Sequence, residues 1–209
     1  MIDIVDANSG NIDSWTKLLD DLLINYKVVS KTSEMSAKTI LLPGVGSAGF
    51  LMENLRIKGF DKKIKNFYRS GGRVIGVCLG YQVFTGFSEE DGGIKCLGLI
   101  KGKTKKLKIL NSPVSNNGWS NFSIKKDKLR EVGCFSDFHL SKKTTIDGRV
   151  YFNHEYGVEV ASKLGFSCKI QKKGLENYSA AYFYKNLYGI QFHPEKSQFT
   201  GLEFIKCIL

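Results

Sequence analysis

"RVIGVCLGYQ", residues 73–82, decides the fold. A short apolar, β-favouring run ends at Cys78, with Gly76 and Gly80 two residues away on either side. A buried strand that turns directly into a helix projects its turn residue above the sheet. The backbone there is crowded, and small neighbours relieve the crowding. The stretch therefore predicts a strand, a sharp turn at Cys78 and a helix from Leu79. The positive end of that helix faces the sulfur and favours its thiolate form. A structural cysteine buried between incidental glycines accounts for the same ten residues, so the elbow alone leaves both readings open.

To its N-terminal side, "MIDIVDA" (1–7), "YKVVS" (26–30) and "TILLPG" (39–44) read as buried strands. Between the first two, Ile12, Trp15, Leu18, Leu19, Leu22 and Leu23 recur at helical spacing; after the third, a polar, amphipathic region from about Ser47 to Arg69 reads as helix. Strands alternating with helices argue for a mostly parallel sheet covered on both faces. After Gly92 short strands predominate: 97–109, 119–124, 149–160, 167–173 and 178–193, with a last helix over 200–209. One α/β domain spanning residues 1–209 is expected. It has three layers, α/β/α, around a mostly parallel central sheet with an antiparallel extension.

Composition bounds the function classes. At 42% hydrophobic residues, the chain has enough apolar content for a core, so disorder is not expected. No signal peptide is visible, and no uncharged apolar stretch approaches the ~20 residues of a membrane span. A cytoplasmic chain without membrane association is the expectation. The cysteines, Cys78, Cys96, Cys134, Cys168 and Cys207, are odd in number and widely spaced. They suggest neither a zinc site nor a disulfide framework. The net charge of +11 raises nucleic acid as a partner. Yet only five of the 31 basic residues are arginine, the better reader of phosphates and bases. The lysine-rich run 101–109 reads as a strand with a solvated face, and docking of an acidic protein or steering of anionic metabolites suits the charge better.

A thiol nucleophile needs a base, and the base an orienting group. There are three histidines, His139, His154 and His193. His193 closes an apolar run and precedes Pro194, which biases it towards an extended conformation. Side chains two apart in an extended segment point the same way, so Glu195 can orient His193. A surface histidine in a simple His-Pro-Glu turn is the plainer reading of those residues alone. Gly44, Gly46 and Gly49 spell the dinucleotide pattern Gly-x-Gly-x-x-Gly, but in the wrong place. The next strand ends in Cys78 rather than in an acidic residue, and Asp61, at about the right distance, lies in a helical stretch. Such a turn can instead offer backbone N–H groups to a developing oxyanion.

In order along the chain, "PGVGS" (43–47), "GVCLGYQ" (76–82) and "GIQFHPEKS" (189–197) resemble the class I, or triad, glutamine amidotransferases. Within that family the chain looks most like the glutaminase subunits of imidazole glycerol phosphate synthase. Gly10-Asn11, Gly118-Trp119 and the Phe152-x-His154-x-Tyr156 strand add to the likeness. The resemblance implies Cys78 as nucleophile, His193 as base and Glu195 as its orienting group. It implies an oxyanion hole from Val45, Gly46 and Leu79, and glutamine-binding positions at Gln82, Glu90, Glu155 and Tyr156. No metal or cofactor is implied. The substrate would be L-glutamine, and the partner a synthase or cyclase subunit, a (β/α)8 barrel, in a heterodimer.

Three positions depart from the usual pattern: Asp6-Ala7-Asn8-Ser9-Gly10-Asn11, Asn116-Asn117-Gly118-Trp119-Ser120, and Glu155 where a small residue is usual. By resemblance, Asn11, Asn116, Asn117 and Trp119 face the partner. The first two departures therefore bear on which acceptor receives the ammonia. Histidine biosynthesis is one setting; amidination of a bacterial surface sugar by a paralogous pair is the alternative. A cysteine hydrolase of the same architecture and a silent binding subunit are rivals from other classes. The order of cysteine and His-Pro-Glu opposes the first, and the intact triad opposes the second.

Overall fold

Short apolar runs bounded by turns build the centre of the molecule. The computed structural model describes residues 1–131, 144–161 and 165–209; Cys134 and His139 lie outside them. The first half alternates as expected: β1 (Ile2–Val5), α1 (Ile12–Asp21), β2 (Tyr26–Val29), β3 (Thr39–Gly44), α2 (Ala48–Ile57), α3 (Phe60–Arg69), β4 (Arg73–Cys78) and α4 (Leu79–Gln82). The second half is mostly strands: β5 (Phe87–Ser88), β6 (Ile94–Lys95), β7 (Gly102–Lys106), β8 (Lys108–Ile109), β9 (Ser112–Pro113) and β10 (Asn116–Lys125), then α5 (Lys126–Glu131). After these come β11 (Thr145–His154), β12 (Tyr156–Val160), β13 (Phe166–Lys169), β14 (Ser179–Tyr184), β15 (Leu187–Ile190) and α6 (Gln198–Ile208).

The central sheet has the order β13-β14-β15-β4-β3-β1-β2. The five strands from β15 to β2 are parallel, while β14 and β13 extend the sheet antiparallel. β1 is buried along its whole length, as a strand covered on both faces must be. Side chains alternate between two apolar layers. Ile75 and Val77 of β4 belong to one layer with Trp15, Leu19, Phe122, Phe152 and Phe204. Val74 belongs to the other with Leu51, Leu55, Ile64, Tyr81 and Phe84. The three-layer, mostly parallel architecture with an antiparallel extension is therefore present.

Three local readings change. The amphipathic region 47–69 is two helices, because Gly59 sits at φ 74°, a left-handed conformation that interrupts the helical hydrogen bonds. The run 97–109 is not one strand; only β7 and the two residues of β8 are extended. Residues 149–160 break at Glu155: β11 pairs with β10 in a two-stranded ribbon, while β12 joins β7 in a separate four-stranded sheet. That break brings Asn153 to Tyr156 to the rim of a cleft beside Cys78.

Candidate active site

The cleft opens where β3 and β4 end. Gly44 and Cys78 are paired neighbours there, so the two turns that follow lie side by side. Cys78 adopts φ 53° and ψ −111°, a conformation costly for a residue with a side chain. Its neighbours explain why the strain persists. A Cβ on Gly80 would lie 1.9 Å from the Leu42 carbonyl oxygen, and one on Gly76 would lie 2.5 Å from Phe84 Cζ. Only glycine lets α4 press this closely against β3 and β4. The expected helix from Leu79 is present but short, since α4 spans four residues. A single turn carries little macrodipole; its first residue, Leu79, lines the cleft beside Cys78.

His193 comes from the extended segment after β15 and is 3% exposed. Its φ of −99° and ψ of 95° agree with the bias imposed by Pro194. Glu195 reaches it differently from the strand-alternation argument. Residues Pro194–Lys196 form a 3-10 turn, which folds Glu195 Oε1 back to within 2.7 Å of His193 Nδ1. Asn11 Nδ2 donates to the same carboxylate oxygen. Ser197 fixes the backbone: its hydroxyl donates to the His193 carbonyl (2.6 Å) and accepts from the Tyr151 N–H (2.9 Å). Burial opposes a charge on His193, but the Cys78 sulfur and the Glu195 carboxylate outweigh it and raise its pKa to about 10. The imidazole is thus placed to hold a proton taken from sulfur.

The cleft has a volume of about 300 Å³, and Val45, Gly46, Cys78, Leu79, Gln82 and Glu90 line one part of it. Asn153, His154, Glu155, Tyr156, His193 and Lys196 line the rest. Every residue expected in the oxyanion and glutamine-binding groups lines the cleft, with Cys78 and His193 of the triad; Glu195 is buried behind His193. Their local partners refine the expectation. Glu90 accepts from the Ala48 N–H at 2.9 Å and so caps α2, while burial raises its pKa. Glu155 pairs its carboxylate with Lys106 at the rim, and its carbonyl accepts from the Leu107 N–H at 2.8 Å. The Tyr156 carbonyl accepts from Gln82 Nε2 (2.6 Å) and His154 Nδ1 (2.7 Å). Both carbonyls are thus engaged internally. The Val45 N–H donates to the Ser9 carbonyl at 3.4 Å, and the Ser9 hydroxyl donates to the Val45 carbonyl.

Of the four residues expected to face a partner, two are exposed and two are engaged inside the chain. Asn117 and Trp119, alternating on β10, are exposed. Asn116 is buried, with Nδ2 3.1 Å from His154 Nε2, and Asn11 turns inward to Glu195. Strand alternation sends Asn116 to the opposite side from Asn117. Residues missed from the sequence are Ser9, Asn153, Gln191 and Lys196. Gln191, two before His193 in an extended run, carried a readable signal in that spacing; the other three depend on how distant loops meet.

Among the described residues no helix is long and apolar enough to cross a membrane. The model of the family "Glutamine amidotransferase class-I" matches residues 3–205. The chain is 32% identical to the "Imidazole glycerol phosphate synthase subunit HisH" of Chlorobaculum tepidum, covering 99% of this chain and 98% of the relative. It is 35% identical to the protein of the same name from Listeria monocytogenes, covering 99% and 93%. Among solved structures, "Structure of PurLQS from Thermotoga maritima" superposes with a TM-score of 0.72 at 16% identity, covering 98% of this chain and 95% of that one. "Crystal structure of glutamine amidotransferase" gives 0.70 at 14%, covering 99% and 97%. These two likenesses speak to the fold. With the family model matched along nearly the whole sequence, this chain belongs to the class-I glutamine amidotransferase family.

Proposed function

We propose that the chain, acting as one domain in the cytoplasm, hydrolyses L-glutamine and hands the ammonia to a separate synthase subunit. The observation that carries this reading is Cys78 beside His193 in one cleft, with the buried Glu195 carboxylate 2.7 Å behind the imidazole. The Cys78 sulfur attacks the side-chain amide carbon, and its proton passes to His193. His193 delivers that proton to the amide nitrogen, the C–N bond breaks, and ammonia leaves a glutamyl thioester on sulfur. Water then gives a proton to His193 and attacks the thioester; the C–S bond breaks, and the proton returns to sulfur as glutamate departs. Leu79 and, once its turn is released from Ser9, the Val45–Gly46 turn supply the N–H groups that face the oxyanion, and Glu195 holds the imidazole in register. Gln82, Glu90, Glu155 and Tyr156 frame the glutamine head group.

The relatives named as subunits of imidazole glycerol phosphate synthase, matched almost end to end, support histidine biosynthesis as the setting. The partner would then be a cyclase subunit of (β/α)8-barrel form in a heterodimer, docking on the exposed Asn117 and Trp119. The test is Cys78→Ser in the complex with that cyclase. Glutamine-dependent turnover falls by several orders of magnitude, while the reaction run on ammonium salts stays intact. Near-normal use of glutamine by the mutant complex overturns the nucleophile. Failure of the purified chains to associate overturns the partner.

A further inference from the structure

We propose that Gln191 is a fixed hydrogen-bond donor to the Cys78 sulfur and, through the other end of the same amide, the residue that positions Gln82 towards substrate. Gln191 has no accessible surface, and a buried amide is stable only when its polar atoms are bonded. Its Nε2 lies 3.9 Å from Cys78 Sγ, and its Oε1 lies 3.2 Å from Gln82 Nε2. Its own N–H is tied to the Ala180 carbonyl at 2.8 Å, so the backbone that aims the side chain is held as well.

The direction of these bonds follows from chemistry. The Tyr156 carbonyl can only accept, so the Gln82 atom 2.6 Å from it must be the amide nitrogen. The second hydrogen of that nitrogen then requires an acceptor from Gln191. With Gln191 Oε1 turned towards Gln82, Gln191 Nε2–H is left facing sulfur. Reversing the Gln191 amide would set two donors against each other. The same carbonyl takes the Nδ1–H of His154 at 2.7 Å, and His154 Nε2 accepts from Asn116 Nδ2. Asn116 Oδ1 in turn accepts from Lys172 Nζ at 3.3 Å. One carbonyl therefore orders a network that ends on the reacting sulfur.

Two consequences follow. A neutral N–H beside sulfur stabilises the thiolate more than the thiol, and a long contact shortens as charge develops. With Gln82 Nε2 used twice inward, Gln82 Oε1 is the atom available to the cleft that Gln82 lines, as an acceptor for substrate N–H. The titratable groups sharing that cleft with Cys78 are His193, His154, Glu90, Glu155, Tyr156 and Lys196, and the donor acts alongside their charges without adding one. This inference deepens the glutaminase reading and rests on Cys78 as the nucleophile.

The experiment is alkylation of the full chain by iodoacetamide across pH, read by mass spectrometry on the Cys78 peptide, together with KM and kcat for glutamine in the complex. Gln191→Met moves the pH midpoint of Cys78 alkylation upward by about one unit, since a lost donor weakens the thiolate. Gln82→Met moves it the same way by less, because Gln191 keeps its N–H and loses only its anchor. Both variants raise KM about tenfold. A midpoint unmoved in both variants, or moved more by Gln82→Met, overturns the proposal. Should Gln191→Met fail to fold, Gln82→Met decides alone: a shifted midpoint supports the network and an unshifted one overturns it. Alkylation requires no glutamine turnover, so these outcomes are separate from the Cys78→Ser test of the parent reading.

Discussion

Two turns lie side by side at the mouth of this sheet, and they are built in opposite ways. The turn at Cys78 is locked by backbone packing: a Cβ at Gly80 would meet the Leu42 carbonyl oxygen at 1.9 Å, and one at Gly76 would meet Phe84 at 2.5 Å. The turn at Val45–Gly46 is open. Val45 is 39% exposed, Gly46 has φ 94°, and the nearest atom to a Cβ there is Ser9 Oγ at 3.9 Å. What holds that turn is the pair of hydrogen bonds between Val45 and Ser9. The difference teaches that Cys78 is placed by sterics, whereas the Val45–Gly46 turn is held by a few exchangeable bonds. A steric lock leaves one conformation; a hydrogen-bonded clamp leaves alternatives within a few kcal/mol.

The largest expected effect strikes the locked turn. Gly80→Ala forces a methyl into a backbone oxygen, so destabilisation of roughly 3 kcal/mol or more and loss of glutaminase activity are expected. Gly46→Ala meets open space and carries only the cost of its positive φ, roughly 1–2 kcal/mol. Urea unfolding of the two variants ranks them. A Gly46 variant less stable than the Gly80 variant breaks the comparison.

Next in size is the resting activity. With its N–H given to Ser9, Val45 offers no donor to the tetrahedral intermediate, and one such donor is worth ~10²–10³ in rate. The isolated chain should therefore release glutamate that much more slowly than the complex loaded with acceptor substrate. Equal rates for chain and complex mean that the Val45 turn is already competent as it stands.

The walls of the cleft extend the comparison to pH. Burial holds the His154 pKa down at about 4, against 6.5 for a free histidine, so the folded chain keeps it neutral. Between those values the unfolded chain takes up the proton and the folded chain does not. Stability is therefore full above pH 6.5 and falls as pH drops towards 4, by up to roughly 3 kcal/mol. Protonation also removes the acceptor that Asn116 uses. Melting temperature followed from pH 7 to pH 4.5 reads the effect. His154→Gln should flatten the profile, and an unchanged slope in that variant assigns the loss to other groups.

The smallest effect sharpens the clamp itself. Ser9→Ala removes the hydroxyl bond to the Val45 carbonyl, worth about 1 kcal/mol. Resting glutamate release should rise about fivefold, with little change in the complex. A fall in the resting rate instead makes Ser9 a support of the active turn.

The alternating strands and helices of the first half, the elbow and the His-Pro-Glu turn were legible in the sequence because each depends on residues within a few positions of one another. Apolar period marks a strand, glycine marks a crowded turn, and proline restrains the residue before it. Family likeness of three ordered segments then named the chemistry. The tertiary structure alone decided that Asn11 supports Glu195 and that Asn116 is buried behind His154. It also decided that Gln191 reaches the sulfur and that Ser9 clamps Val45. Each of these contacts joins residues far apart in the chain. Which polar atoms meet inside a cleft depends on the register of distant strands and the closing of loops, and no local pattern of residues carries that information.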